Sequence, residues 1–244
     1  EDGAGNLHIQ RSGPVTGGSP IYFTAHMDHP AFTVERIIGP GTVQVGFRGG
    51  VMEEYFNSAR ITIHADGARV GATLTGRVES ADAGGPFPAY LAELDAEGED
   101  RVAVGDIATW ELPAAKIDGD LLFTHACDDL AALAAAVSAY DVLLEQWRDD
   151  DGPHPDIRLL FTRAEEIGFI GAIAACKQGT MPLNSRVIAL ENSRSFDDSP
   201  IGGGPIVRVG DRLSVFSPSL TGAIARRAEE ITGAAAQTAA TQQQ

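Results

Sequence analysis

Four apolar, strand-like runs in this sequence each end in residues that bind metals. The run 21–25 leads into His26 and Asp28, 121–124 into His125, Asp128 and Asp129, 157–162 into Glu165 and Glu166, and 187–190 into Glu191. In an open α/β sheet, parallel strands deliver their C-terminal ends into one crevice, where ligands bind. Four endings that carry His, Asp and Glu, without paired thiolates, point to a carboxylate-rich site for one or two divalent metals. Each ending alone has a plainer explanation. Asp128 and Asp129 lie where a helix begins, and acids are favoured there as caps. His26 and Asp28 alone read as an ordinary strand end.

The spacing within each ending refines this reading. His26 and Asp28 are two apart, so in an extended segment both face the same side. Asp28 is a candidate to hold the other ring nitrogen of His26 and fix its tautomer. At a strand end the adjacent Glu165 and Glu166 point differently, so one can bind metal while the other faces a metal-bound water. Such a Glu would take a proton from that water and return it to the leaving amine. The apolar residues Ile167, Phe169 and Ile170 that follow suggest a packed site. Glu191 follows four apolar residues, so it is either exposed at the strand mouth or paired with a cation. His8, His64 and His154 sit in polar or turn-rich surroundings and are expected at the surface. His29 and His125 are expected to be supporting or structural residues.

The 244 residues suffice for one large domain or a domain with an insert. Hydrophobic content of 43% and charged content of 21% suit a globular chain, and no apolar run approaches the ~20 residues of a membrane span. A net charge of −16 excludes nucleic acid as an expected partner. Only two of the 18 basic residues are Lys, a skew that reads as genome composition. Cys127 and Cys176 have no zinc-finger or redox spacing, so a reducing, cytoplasmic setting is expected. The sequence opens on Glu1 rather than Met, which leaves a removed leader open.

Residues 1–47 read as strands and turns. From about Gly49 to Ala115 short alternating segments are broken by Gly, Pro and acidic stretches, which reads as a small β-barrel or sandwich inserted in the main domain. The expected layout is therefore 1–47 and 117–244 for the catalytic domain, with 48–116 as the insert. A helix is predicted from Asp128 or Asp129 to about Trp147, with Leu130, Leu133, Val137, Leu143 and Leu144 as its apolar face. Strands at 156–162 and 186–191 and helices from about Gly168 and near 218–232 follow. Strands alternating with helices mean an α/β sandwich. The tail from Gly233 to Gln244 is of low complexity.

The order of these motifs resembles the two-metal aminopeptidases of the tetrahedral (TET) and glutamyl aminopeptidase type. The resemblance rests on His26-Met-Asp28, on Asp128-Asp129 after Ala126 and Cys127, and on Glu165-Glu166-Ile-Gly168 with Gly171-Ala172. It rests further on Val104-Gly-Asp106 in the insert and on the segment from Gly203 to Arg212, and it runs from about Gly5 to about Thr232. It implies a three-layer α/β/α sandwich with a mixed sheet and an inserted β-barrel that contributes to subunit contacts in a homo-oligomer.

It further implies peptide substrates and two divalent metal ions, Zn²⁺ first, with Co²⁺ or Mn²⁺ as alternatives. In this reading His26, Asp128 and Glu191 hold one metal, Asp128 bridges to a second held by Glu166 and a distant His, Glu165 is the general base and Asp28 orients His26. Three positions depart from the family pattern. Glu191 stands where Asp is usual, His29 replaces an acidic residue, and Leu130 replaces a common Arg. No His follows His154 in the sequence. A deacylase or carboxypeptidase of the related metallohydrolases, or a catalytically silent metal-binding homologue, are the alternatives.

Overall fold

The computed structural model describes residues 1–79, 85–95, 99–211, 214–233 and 237–240. In chain order the strands are β1 (Leu7–Gln10), β2 (Ile21–His26), β3 (Ala31–Gly39), β4 (Thr42–Arg48), β5 (Arg60–Ala65), β6 (Ala68–Val78), β7 (Ala89–Leu94), β8 (Ile107–Trp110), β9 (Lys116–Asp118), β10 (Leu121–Phe123), β11 (Ile157–Thr162), β12 (Arg186–Ala189), β13 (Ile206–Gly210) and β14 (Gln237–Ala240). The helices are α1 (Cys127–Gln146), α2 (Ile170–Gln178) and α3 (Pro218–Thr232). The chain divides into two compact units, one of Glu1–Lys116 with Leu122–Asn192 and one of Ile117–Leu121 with Ser193–Gln244.

The first unit contains a four-stranded mixed sheet in the order β1-β11-β2-β12. β11 and β12 both run parallel to β2, and β1 is antiparallel to β11. Because strand side chains alternate between faces, each strand feeds two cores. Phe23, Ala25, Leu159 and Phe161 pack against α1, while Tyr22 and Leu160 pack with Ala175 of α2. Helices on both faces of one sheet make the expected three layers.

Two sequence expectations are corrected here. Only three of the four ligand-bearing runs lie in this sheet, because β10 stands outside it. The run 121–124 is apolar, yet Leu121, Leu122 and Phe123 stay 44–53% exposed. Hydrophobic content alone does not say which sheet a short strand joins. The buried face of α1 is also different. Ala132, Ala136 and Tyr140, at four-residue spacing, meet the sheet together with Leu133 and Leu144, whereas Leu130 and Val137 are each 43% exposed. Small residues let the helix lie close to the strands.

The six strands β3-β4-β7-β6-β5-β8 close into an antiparallel barrel, which leaves no exposed edge. Alternation along β5 and β6 sends Ile61, Ile63, Val70, Ala72 and Leu74 inward. An aromatic group of Phe32, Phe47, Phe56, Tyr90 and Trp110 fills one part of the interior, with Phe56 stacked on Tyr90 at 4.3 Å. The barrel strands run from Ala31 to Trp110, so they include β3 and β4 as well as the segment from about Gly49.

His154 is a further correction. It is buried, stacks on Trp147 at 4.7 Å and bonds the Asp150 carbonyl through Nε2 at 3.0 Å. Its polar sequence surroundings concealed a ring contact made across the turn after α1.

In the second unit β13 pairs in parallel with β14, so the low-complexity tail contributes a strand. Residues 234–236 and 241–244 of that tail, and Arg212 of the segment from Gly203, lie outside the described residues. α3 begins at Ser217, whose hydroxyl accepts from Leu220 N–H, with Pro218 in its first turn. It ends at Gly233 in the left-handed region at φ 68°.

Candidate metal centre and active site

The strand register brings the site together. Thr162 pairs with His26 and Ala189 with Thr24, so the chain beyond β11 and β12 emerges beside His26. Leu190 N–H continues the second pairing by donating to the Thr24 carbonyl. Two residues of extended chain past Ala189 therefore carry Glu191 level with His26. α1, packed over β2, brings Asp128 to the same place.

His26 is the hub. Its Nδ1 lies 2.8 Å from the backbone carbonyl of Asp28 and donates to it. That bond leaves Nε2 facing carboxylates: Asp128 Oδ1 at 3.0 Å, Glu191 Oε1 at 3.7 Å and Glu165 Oε2 at 3.9 Å. Burial disfavours the imidazolium, but hydrogen bonds to Asp128 and Glu191 outweigh it and push His26 up to about 11. Nε2 is therefore a position that demands a positive charge, from a proton or from a metal.

Asp28 acts differently from the expectation. Its carbonyl, rather than its carboxylate, holds Nδ1. The carboxylate Oδ1 stays 3.7 Å from that nitrogen, and its two oxygens instead accept the backbone N–H groups of Glu165 at 3.1 Å and Glu166 at 3.2 Å. One residue thus orients the imidazole with its backbone and the loop after β11 with its side chain.

The Asp128–Asp129 peptide is cis, and neither carboxylate caps α1: Ala126 occupies the cap position with no side-chain bond. Asp129 is fully buried, and its oxygens accept from the His26 backbone N–H at 3.0 Å and from Asn192 Nδ2 at 3.2 Å. Burial raises its carboxyl to about 7, against the pull of that N–H, with Glu191 adding to the rise. Asn192 also donates to the Cys127 carbonyl. Its position directly after Glu191 was the only sequence signal for this role.

Glu165 and Glu166 complete the cluster. Burial raises both carboxyls; the nearby carboxylates add to this and His26 opposes it, and Glu166 reaches about 8. Among the described residues two groups have ligand atoms mutually within 4.8 Å: His26, Asp128, Asp129 and Glu191, and His26, Glu165 and Glu166. His125 is exposed and belongs to neither. His29 lines a pocket of about 380 Å³ beside Glu166, together with Thr33, Arg48, Arg163 and Ile167.

The donor set fits divalent cations. It offers one imidazole nitrogen and several carboxylate oxygens, with Asp128, Glu165 and Glu191 only partly buried and so open to solvent. Crowded carboxylates with raised values are what a site built around positive charge looks like without that charge.

The profile of the M42 glutamyl aminopeptidase family matches residues 5–241. The chain belongs to the M42 glutamyl aminopeptidase family. It is thereby a metallopeptidase of a family with a co-catalytic metal site, and the His, Asp and Glu clusters described above are candidates for such a site. No curated protein sequence matches it significantly.

Solved aminopeptidase structures share the fold. The aminopeptidase APDkam598 from the archaeon Desulfurococcus kamchatkensis superposes with a TM-score of 0.76 at 19% identity, over 98% of this chain and 69% of that one. A TET aminopeptidase from a marine-sediment thaumarchaeote gives 0.76 at 17% identity, over 97% and 69%. Pyrococcus horikoshii TET1 peptidase, which can assemble into a tetrahedron or a large octahedral shell, gives 0.73 at 19%, over 98% and 73%. Among the described residues no helix is long and apolar enough to cross a membrane.

Proposed function

We propose that this M42 chain releases N-terminal residues from peptides, with Glu165 as the proton-transferring group. The observation that carries this reading is the placement of Glu165. Its backbone is pinned by Asp28, its carboxylate faces the His26 cluster at 3.9 Å, and burial raises its proton affinity towards the working range of a general base. His26, Asp128, Glu166 and Glu191 are the residues that would hold two divalent metals, Zn²⁺ in the first instance. Bound there, the metals supply Lewis-acid polarisation of the scissile carbonyl and a lowered water pKa.

The remaining work falls to the protein. Glu165 takes the proton of the attacking water and passes it to the leaving amine. Asp28 holds both the imidazole and the Glu165–Glu166 backbone in register. Carboxylates around the cluster attract the free α-ammonium of the substrate, and the pocket beside Glu166 gives room for a substrate side chain.

The test is release of the first residue from short peptides in Zn²⁺ or Co²⁺, set against the same peptides N-acylated. An aminopeptidase releases the residue from the free peptide and rejects the blocked one. Equal or preferred cleavage of the blocked peptide would assign a deacylase. Bound metal without turnover on any peptide would assign a silent homologue.

The catalytic unit also works as a homo-oligomer in this reading, with the barrel (48–116 in the sequence layout) contributing to contacts. Support comes from the assembly described for the P. horikoshii TET1 peptidase, which shares the fold. Light scattering is expected to give a multiple of the chain mass, and a monomer at micromolar concentration would remove this part. The two cysteines, both free, agree with a cytoplasmic setting.

A further inference from the structure

The loop that carries Glu165 and Glu166 is a turn in which Gly168 and Phe169 N–H donate to the Glu165 carbonyl and Ile170 N–H to the Ala164 carbonyl. Between β11 and α2 it passes through left-handed conformations at Ala164 (φ 56°), Gly168 (φ 111°) and Phe169 (φ 59°). Asp28 fixes its tip. Its base is fixed from a different element, the turn before β1.

There Asn6 is fully buried, and its side-chain amide reaches both ends of the loop. Oδ1 accepts from the Arg163 N–H at 3.1 Å, and Nδ2 donates to the Gly171 carbonyl at 2.9 Å. The ends are also joined directly, with Gly171 N–H donating to the Arg163 carbonyl. The joint is tight. A Cβ at Gly171 would lie 2.4 Å from both Arg163 O and Asn6 Oδ1. Asp2 holds Asn6 in turn, accepting from its backbone N–H at 2.9 Å and its Nδ2 at 2.8 Å, and Thr180 donates to the same carboxylate.

We infer that Asn6 is a positioning residue for the reaction, clamping the base of the loop so that Glu165 and Glu166 face His26. The inference rests on the roles proposed above for those two glutamates. An amide is suited to this task because it both accepts and donates, so one planar group can satisfy an N–H at one end and a carbonyl at the other. No simple apolar or purely accepting side chain can do both. Outer residues that orient ligands typically change metal affinity or activity by about 10–100-fold when removed.

Asn6→Ala in the full chain tests this through three readings: amide exchange across 163–171 in the metal-free protein, the Kd for added Co²⁺, and kcat against KM. The double variant Asp2→Asn/Asn6→Asp is the second arm. It retains the polar contact within the pair and the bond from Arg163, removes the donation to Gly171 and the acceptance from Thr180 Oγ1, and sets a carboxylate oxygen against the Gly171 carbonyl. Val70→Ala in the barrel core serves as a variant of lowered stability remote from the loop.

Expected for Asn6→Ala are faster exchange confined to 163–171, a Co²⁺ Kd about 10–100-fold weaker, and a kcat loss of similar size with little change in KM. The double variant should show the same pattern, and Val70→Ala should show none of it. Wild-type kcat and Co²⁺ affinity in a variant with a loosened loop would overturn the positioning role. So would losses reproduced by Val70→Ala. If Glu165→Gln keeps full turnover, the proposed function fails instead, whereas the exchange and Co²⁺ readings still report on the clamp.

Discussion

Glu165→Gln is expected to lower kcat for N-terminal residue release by about 10²–10⁴-fold while Co²⁺ still binds. Glutamine keeps the size of the side chain and loses the ability to take a proton. The backbone N–H that Asp28 accepts is unchanged, so the loop keeps its place. Burial and the neighbouring carboxylates raise the proton affinity of Glu165, as they do that of Glu166. The measurement is steady-state turnover at saturating peptide, with Co²⁺ affinity followed separately. Turnover within a few-fold of the parent chain would remove Glu165 from the mechanism. A joint loss of turnover and Co²⁺ affinity would make it a ligand instead of a base.

The metal-free chain should lose stability as pH rises from about 5 to 8, and a divalent metal should reverse the loss. Asp129 rises from an ordinary 3.8 to about 7, and Glu166 from 4.5 to about 8. Both bind a proton more tightly folded than unfolded. Their contribution is therefore complete below the unfolded values and disappears as pH climbs through the folded ones. His26, moved from 6.5 to about 11, has the same sign, and its share is lost later, as pH rises towards 11.

A metal that replaces these protons binds better once they have left, so Zn²⁺ should raise the melting temperature more at pH 8 than at pH 5. At a hundredfold excess over Kd the gain is about 2.7 kcal/mol. Thermal melts of stripped and Zn²⁺-loaded protein at the two pH values decide this. Equal responses at both, or greater stability of the stripped chain at pH 8, would contradict the cluster as a metal centre.

Local regularities made much of this molecule readable from its residues. β2, β11 and β12 announce themselves as apolar runs, and α3 shows its cap, its proline and its closing glycine. His26, Asp128, Glu165, Glu166 and Glu191 stood out because each follows such a run. Other assignments failed where the deciding partner lies far along the chain. β10 looks as apolar as the rest but does not join the sheet. Asp129 looks like a helix cap, yet its bonds go to the His26 N–H and to Asn192. Asp28 stands two residues from His26, but its carboxylate serves Glu165 and Glu166, whose amides are brought to it by the pairing of β11 with β2.

The sequence by itself determined which residues could carry the chemistry and the order of the elements that present them, because side-chain type and apolar periodicity are local properties. The tertiary structure decided what each carboxylate does. A buried carboxylate binds whatever donor or cation the packing supplies, and those neighbours come from strands and helices more than a hundred residues apart. Asn6 is the extreme case: one amide in the turn before β1, unremarkable in sequence, sits at the base of the loop that carries Glu165 and Glu166.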